Sequence, residues 1–179
     1  MKFVLVVGHT LKHHGASYGI LNEYLFNTLL AKEISCYLGS LGHECFIIQK
    51  DDLSTEELVE LAGYQQPKAI IGMHLNAFNE EIEGTETLFT RNHPRSGELA
   101  RILQVDLCKA LGRTGKRNRG VKLLSEHNRG FKNLCSYKNP ACIIETFFID
   151  NKNDLILGLS KIDELVESVS NGLIKFGKI

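Results

Sequence analysis

Four short runs of almost unbroken apolar residues recur along the chain. Continuous apolarity is typical of strands whose two faces are both covered, as in a parallel sheet, because a strand with one wet face alternates instead. A fifth segment, Thr85–Thr90, is rich in β-prone residues and is predicted to add a strand at a sheet edge. The four runs are Phe3–Val7, Cys45–Ile48, Ala69–Met73 and Ala141–Ile144.

Segments with helical periodicity separate these runs. In Asn22–Leu41 the apolar residues fall three or four positions apart, which predicts an amphipathic helix. Ser54 and Glu57 have the spacing of a capping box, so a second helix is predicted to begin there. Two further helices are predicted over Glu98–Leu111 and Lys161–Phe176.

The alternation of strands and helices predicts the fold class. We expect a single α/β domain, residues 1-179, with a mostly parallel twisted sheet flanked by helices on both faces. Residues 113–140, rich in Gly, Asn, Lys and Arg, are predicted to form a long and partly irregular connection. In such sheets ligands bind beyond the carboxyl ends of the strands, so the residues that follow each strand are the first candidates for chemistry.

Charge and hydropathy narrow the partners that we expect. Lys+Arg and Asp+Glu are 21 each, and a zero net charge argues against a general nucleic-acid binder, whose affinity depends on excess cationic charge. No apolar run approaches the ~18 residues that span a bilayer. We therefore expect no nucleic-acid partner and no stable membrane insertion, and we expect a monomer.

The N-terminus and the cysteines indicate a reducing compartment. Five consecutive apolar residues follow Lys2, fewer than the roughly 7–15 of a secretory signal, so we expect no signal peptide. The five cysteines form no CxxC pair, and an odd number favours free thiols. Synthesis in the cytoplasm without export is the resulting expectation.

Potential metal ligands follow three of the predicted strands. His9 follows the first, His74 the third and Glu145 the fourth, and Glu23 in the first turn of the first long helix can reach the same sheet edge. Two imidazoles and one carboxylate suit zinc with an open fourth position. A further carboxylate that does not bind the metal can act as a general base.

Each of these residues also has an ordinary structural interpretation. His9 could pack or cap after its strand, Glu23 could interact with the helix dipole, and Glu145 could open a helix. Because all four residues point to one edge of the sheet, we favour a shared site.

The order of the motifs adds a resemblance. Gly8-His9 is followed by Gly15-Ala16 and Glu23, and then come Met73–Ala77 and Glu145–Asn151. This order resembles the zinc N-acetylmuramoyl-L-alanine amidases of the Amidase_3 type. That family shows a Gly-His opening with a downstream Gly-Ala and Glu, a Ser-x-His-x-Asn-Ala motif and a Glu-Thr-Gly-Phe-x-Ser-Asn-like motif. Matching residues also occur, in the family's order, at Gly84, Leu99-Ala100 and Arg119–Lys122.

The resemblance implies roles for individual residues. His9, Glu23 and His74 are the implied Zn²⁺ ligands, and Glu145 is the implied catalytic carboxylate. The implied substrate is peptidoglycan, both glycan strand and stem peptide, cut at the amide between the muramic acid lactyl group and L-alanine. Asn76 could orient a ligand or bind the stem peptide, with a simple turn residue as the alternative.

The chain departs from the family pattern outside these four residues. Gly72 replaces the serine, Phe147 replaces the glycine, and Thr10–His14 replaces a Gly-Gly-x-Asp stretch. Gln49–Asp52 stands where the family has Arg-x-Asp near the second strand, and a later arginine is also missing. Details of substrate binding therefore stay open.

Several polar residues have more than one interpretation. His13 and His14 could be alternative ligands or exposed loop residues, and His127 could reach the substrate. Five cations lie between residues 113 and 122, where a solvated loop is the first interpretation and a groove for wall polymer or stem carboxylates the second.

Three hypotheses for function follow. The first is an amidase that lyses cells, a phage endolysin or prophage enzyme that stays in the host bacterial cytoplasm until it is released to the cell wall. The second is another zinc peptidase on a related α/β scaffold, such as a carboxypeptidase. The third is a non-catalytic wall-binding module, which does not need a base beside a metal.

Overall fold

A computed structural model describes residues 1–91, 93–128 and 130–179. Strands and helices alternate along these ranges, as the apolar pattern predicts. The strands are β1 (Lys2–Val7), β2 (Ser17–Tyr18), β3 (Leu21–Asn22), β4 (Glu44–Gln49), β5 (Ala69–Asn76), β6 (Thr85–Phe89), β7 (Asn118–Leu123) and β8 (Ala141–Phe148). The α-helices are α1 (Glu23–Ser40), α2 (Thr55–Tyr64), α3 (Ser96–Ala110), α4 (Phe131–Ser136), α5 (Lys152–Ser160) and α6 (Ile162–Gly177).

Six of the strands form one central sheet in the order β4-β1-β5-β8-β6-β7, while β2 and β3 pair as a separate short hairpin. The four strands from β4 to β8 are mutually parallel. β6 runs antiparallel to β8, and β7 runs parallel to β6. The predicted α/β fold with a mostly parallel sheet is therefore confirmed.

Helices cover both faces of this sheet. On β1, Phe3 and Leu5 pack in a cluster with side chains of α1, α3 and α6, whereas Val4 and Val6 pack with side chains of α2 and α4. Because both faces of the strand are buried, its apolar run is continuous rather than alternating. The sequence pattern thus reports a layer of helices on each side.

The same alternation decides which way the candidate site residues face. On β8, Cys142 and Ile144 belong to the α1–α3–α6 cluster, and Ile143 belongs to the α2–α4 cluster. Successive side chains of a strand point to opposite faces, so Glu145 shares the face of Ile143. His74 on β5 likewise lies opposite the buried Met73. Both polar residues therefore face the α2–α4 side.

Local signals set the helix starts. Asn22 is the N-cap of α1, and its side-chain oxygen accepts a hydrogen bond of 2.8 Å from the backbone N–H of Leu25. The predicted capping box is present at α2: Ser54 accepts from the backbone N–H of Glu57, whose carboxylate accepts from the backbone N–H of Ser54. Satisfied N–H groups of this kind fix the residue at which a helix begins.

One expectation about the second half of the chain is wrong and another is refined. The segment Thr85–Thr90 was predicted at a sheet edge, but β6 lies between β8 and β7. Its buried residues include threonines rather than aliphatic side chains, and Thr87 donates a 2.8 Å hydrogen bond to Gln104. Residues 113–140 are partly irregular, as predicted, and their regular parts are a 3-10 turn, β7 and α4. β7 was missed because an edge strand with exposed side chains shows no apolar run.

Most of the cations between residues 113 and 122 are neutralised within the fold. Arg113 is buried and pairs with the fully buried Asp154, so the expected solvated loop is wrong at that residue. Three of the other four pair with acids on the segment around β6: Arg117 with Glu83, and both Arg119 and Lys122 with Glu86.

Over the described residues, no helix is both long and apolar enough to cross a membrane.

Candidate metal centre

The three side chains expected to bind metal lie together in the structure. One carboxylate oxygen of Glu23, Oε2, lies 3.0 Å from Nε2 of His9, and the other, Oε1, lies 2.9 Å from Nδ1 of His74. The potential ligand atoms of the three residues are all within 4.8 Å of one another. One cation at this place would therefore meet two imidazoles and a carboxylate.

The backbone places these residues from three separate parts of the chain. His9 follows the end of β1 by two residues and has a positive φ of 64°. Glu23 is the first residue of α1, and its carboxylate also accepts hydrogen bonds from the backbone N–H groups of Leu75 (3.0 Å) and Ala16 (3.2 Å). His74 lies within β5, two residues before its end. Glu23 thus ties the first loop to the central strand.

Two glycines make room for this cluster. A Cβ on Gly8 would lie 2.7 Å from Nδ1 of His74, and a Cβ on Gly15 would lie 2.5 Å from Oε2 of Glu23. Contacts that close are not tolerated, and Gly15 also has a φ of 77° that favours glycine. The Gly-His and Gly-Ala pairs of the sequence therefore have a steric reason.

The protonation states in the cluster suit metal binding. Burial alone would raise the pKa of Glu23, but its hydrogen bonds to His74 and His9 lower that pKa to about 2. Burial lowers the pKa of His74, and the nearby Glu23 only partly opposes the shift. A charged carboxylate and a neutral imidazole are the forms in which these side chains bind metals.

Glu145 lies beside the cluster but outside it. In the sheet register its Cα is paired with that of His74 on one side and that of Glu86 on the other. Its Oε2 is buried and has no hydrogen-bond partner among the described residues. Burial, together with the negative charges of Glu23 and Glu86, raises the pKa of Glu145 well above its usual value. Because Glu145 lies inside β8, its interpretation as a helix-opening acid is wrong.

These residues fit a bound zinc ion. The donor set is the one that catalytic zinc sites use, three protein ligands that leave a further position open. The orphaned oxygen of Glu145 is costly to bury without a partner, and a water or substrate group in that open position would give it one.

A charged network lies on the far side of Glu145, and the sequence did not reveal it. Glu86 accepts hydrogen bonds of 2.6 Å from both Arg119 and Lys122. Burial alone would raise the pKa of Glu86, but these two cations lower it. The guanidinium of Arg119 also lies 5.0 Å from the ring centroid of Phe148. In the sequence, the only sign of this network was Glu86, a single acid within the β-prone segment Thr85–Thr90.

Asn76 takes part in the same network. Its side-chain N–H donates to Glu86 over 2.9 Å, and its side-chain oxygen accepts from the backbone N–H of Ala77. Asn76 also lines the cleft, so a role in binding the stem peptide stays a prediction. Because the amide of Asn76 is hydrogen-bonded to Glu86 and Ala77, we favour the interpretation that Asn76 orients neighbouring groups.

An open cleft of about 710 Å³ contains the cluster. Its wall also includes Glu145 and Glu86, and the half-buried Lys50 lies on the β4 side. His13, His14 and His127 are exposed, and none of them belongs to the group of potential ligands. The structure therefore brings four of the predicted residues together and leaves these three histidines outside.

Two departures from the resembled motifs have a packing explanation. A Cβ on Gly72, where the family has serine, would lie 2.8 Å from Cγ1 of Ile143. Phe147, where the family has glycine, is fully buried against Phe26, with ring centroids 5.0 Å apart. A Cβ on Gly158 would lie 2.3 Å from the Phe147 ring. The side chain of Ile143 thus occupies the space that a side chain at residue 72 would need, and the missing side chain of Gly158 leaves room for the ring of Phe147.

Comparison with solved structures gives several matches over the full length. The N-acetylmuramoyl-L-alanine amidase of Clostridium difficile 630 is 22% identical with a TM-score of 0.85, covering 98% of this chain and 95% of that one. AmiC2 of Nostoc punctiforme, also an N-acetylmuramoyl-L-alanine amidase, is 20% identical with a TM-score of 0.84, covering 100% and 98%. The catalytic domain of the CD27L endolysin, which targets Clostridia difficile, is 26% identical with a TM-score of 0.79, covering 98% and 97%.

Comparison with curated proteins finds no match. The family comparison is decisive, because the N-acetylmuramoyl-L-alanine amidase family Amidase_3 matches residues 3–175, almost the whole chain. Together with the fold, with the cluster of His9, Glu23 and His74 and with Glu145 beside it, this match shows that the chain belongs to the Amidase_3 family of N-acetylmuramoyl-L-alanine amidases.

Proposed function

We propose that the chain is a zinc-dependent peptidoglycan amidase that cleaves the bond between N-acetylmuramic acid and L-alanine. His9, Glu23 and His74 hold the zinc ion, and Glu145 is the catalytic carboxylate. One observation carries the proposal: three potential ligand atoms lie within 4.8 Å of one another, and a buried carboxylate with an unpartnered oxygen lies on the next strand. Membership of the amidase family supports the choice of bond.

The chemistry divides between the metal and the protein. When bound, the zinc ion supplies a Lewis acid that acidifies water and polarises the amide carbonyl. Glu145 takes a proton from the attacking water and later donates it to the nitrogen of the leaving alanine. The raised pKa of Glu145 suits this role, because the carboxyl must hold the proton between the two transfers.

The protein holds these groups in place by backbone rather than by flexible side chains. Glu145 and His74 belong to adjacent parallel strands, and β5 and β8 are central in the sheet. Glu23 is fixed by hydrogen bonds to two backbone N–H groups, from Ala16 and Leu75. Groups held on rigid elements keep the geometry that a proton transfer requires.

One experiment joins product analysis to metal content. The unmodified chain is expected to release stem peptides with a new N-terminal alanine from purified peptidoglycan, and a chelator is expected to stop the release. In His74→Ala the zinc content should fall from about one ion per chain to a small fraction of that, since a three-ligand site loses one ligand. Mass spectrometry identifies the products, and elemental analysis gives the zinc content.

His127→Ala is the matched control, because His127 is exposed and lies outside the ligand cluster. It should keep both zinc and activity. Full zinc occupancy in His74→Ala would remove His74 from the ligand set. Release of free amino acids instead of intact stem peptides would favour a carboxypeptidase, and binding without any cleavage would favour a wall-binding module.

We further propose that the amidase serves cell lysis, as a phage or prophage endolysin. The likeness to the catalytic domain of the CD27L endolysin, which covers 98% of this chain, supports this role. Expression together with a membrane-permeabilising protein is expected to lyse a susceptible host. Intact cells of every wall type tested would contradict the lysis role and leave the amidase chemistry untouched.

A further inference from the structure

Lys50 is a cation in the cleft that the proposed chemistry does not use. It directly follows β4, and its half-buried side chain lines the cleft together with His9, Glu23 and His74. In the described part of the cleft wall, Lys50 is the single Lys or Arg side chain. Among the described residues its ammonium has neither an ion-pair nor a hydrogen-bond partner.

The acids nearest to Lys50 in sequence are engaged elsewhere. Asp51 accepts hydrogen bonds from the backbone N–H of Leu11 (2.6 Å) and from the hydroxyl of Tyr24 (2.9 Å). Asp52 accepts from Nζ of Lys12 over 3.0 Å. These contacts hold the loop after His9 against the end of β4, and neither acid pairs with the ammonium of Lys50.

Glu23 is the acid whose charge acts on Lys50, but its two oxygens are already directed to the histidines. Burial lowers the pKa of Lys50, and the charge of Glu23 opposes this shift. Oε1 and Oε2 of Glu23 lie within 3.0 Å of His74 and His9 respectively. A half-buried ammonium that lacks a partner pays a desolvation cost, which an anion from outside the protein would offset.

The two sides of the cleft differ in how their cations are paired. Along the sheet the order β4-β1-β5-β8-β6 places Lys50 on one side of the metal ligands and both Glu145 and Glu86 on the other. On the Glu86 side, Arg119 and Lys122 both pair with Glu86, whereas the ammonium of Lys50 has no such partner among the described residues. A negatively charged group of a substrate is therefore attracted to Lys50, on the β4 side of the metal ligands.

We propose that Lys50 binds a carboxylate of the stem peptide, so that the enzyme prefers a substrate whose carboxylate nearest the scissile amide is free rather than converted to an amide. This inference rests on the proposed amidase function. Lys50 then determines specificity, and it takes no part in proton transfer.

The test measures binding separately from cleavage. The probes are two muramoyl-peptides that are identical except that the carboxylate nearest the scissile amide is free in one and an amide in the other. Their affinities are measured by titration calorimetry on the zinc-loaded Glu145→Gln variant, which is expected to leave the probes uncleaved. Adding Lys50→Met should weaken binding of the carboxylate form by about 10- to 100-fold, the usual worth of a hydrogen bond to a charged group. Binding of the amide form should change less than about twofold.

Three variants make the result specific. Lys50→Arg keeps the charge and should retain most of the preference for the carboxylate form. Lys32→Met removes an exposed lysine of α1 and should change neither affinity. Zinc content and the melting temperature of Lys50→Met should match those of the parent, because Lys50 has no partner among the described residues whose loss would unfold the chain.

Equal affinity of the parent for the two probes would overturn the role of Lys50, and so would an equal loss on both probes in Lys50→Met. The proposed function fails separately. If the unmodified chain binds and distinguishes the probes but never cleaves the muramoyl amide, Lys50 keeps its role and the amidase proposal is wrong.

Discussion

Replacing Glu145 with glutamine is expected to lower turnover of purified peptidoglycan by roughly 10²–10⁴-fold, the usual worth of general acid–base catalysis. Glutamine keeps the shape of the side chain but cannot accept a proton from water. Glu145 does not belong to the group of potential ligands, so zinc content should stay near that of the unmodified chain. Turnover is followed by the release of new amino termini, and zinc by elemental analysis.

The control for this prediction is Glu126→Gln, which makes the same change at an exposed glutamate away from the cleft. It should leave turnover unchanged within about twofold, since a solvated carboxylate contributes little to its surroundings. Turnover of Glu145→Gln close to that of the unmodified chain would show that this carboxylate does not move the proton. A large loss of zinc in the same variant would instead place Glu145 among the ligands.

Asp154→Asn is expected to lower the free energy of unfolding by about 3–5 kcal/mol, because it leaves a buried partner unpaired. Asp154 is fully buried, and it pairs with the guanidinium of the buried Arg113. Its other oxygen accepts from the backbone N–H of Gly84 (3.0 Å) and of Phe148 (2.8 Å). An asparagine has one acceptor oxygen, so its NH₂ group would face either the guanidinium of Arg113 or the two backbone N–H groups, all of which are donors. Urea denaturation followed by circular dichroism gives the change.

Asp163→Asn removes the same charge at an exposed position in the first turn of α6. Its cost should be only about 0.3–1 kcal/mol, the size of a helix-dipole interaction. The slope of the free energy of unfolding against urea concentration should be the same in both variants as in the unmodified chain, if the area exposed on unfolding does not change. A loss below about 1 kcal/mol in Asp154→Asn would mean that Arg113 finds water or another acceptor.

The layered fold was predictable because each local signal agreed with the global one. Apolar runs at Phe3–Val7 and Ala141–Ile144 mark strands that helices cover on both faces, and the structure places both within the central parallel strands. His74 and Glu145 were predicted at strand ends. They lie inside β5 and β8, but the parallel register still brings them side by side. An error of three or four residues in a strand end changes no neighbour across the sheet.

The charged residues were less predictable, because their meaning depends on partners distant in sequence. Arg113 belongs to a run of cations typical of a surface loop, yet it is buried against Asp154, which lies 41 residues away. Glu86 stands in a β-prone segment with no sign that Arg119 and Lys122 will neutralise it. Sequence alone shows charge and spacing, and only the folded chain shows which charges meet.

The backbone conformation of His9 has a consequence for the engineering of this chain. A residue other than glycine at a φ of 64° costs of the order of 1–3 kcal/mol when the surrounding structure holds it there. A redesign guided by stability alone would choose glycine or asparagine at this position, and the more stable chain would lack an imidazole of the candidate site. On the proposed function, fold stability and activity therefore favour different residues at position 9.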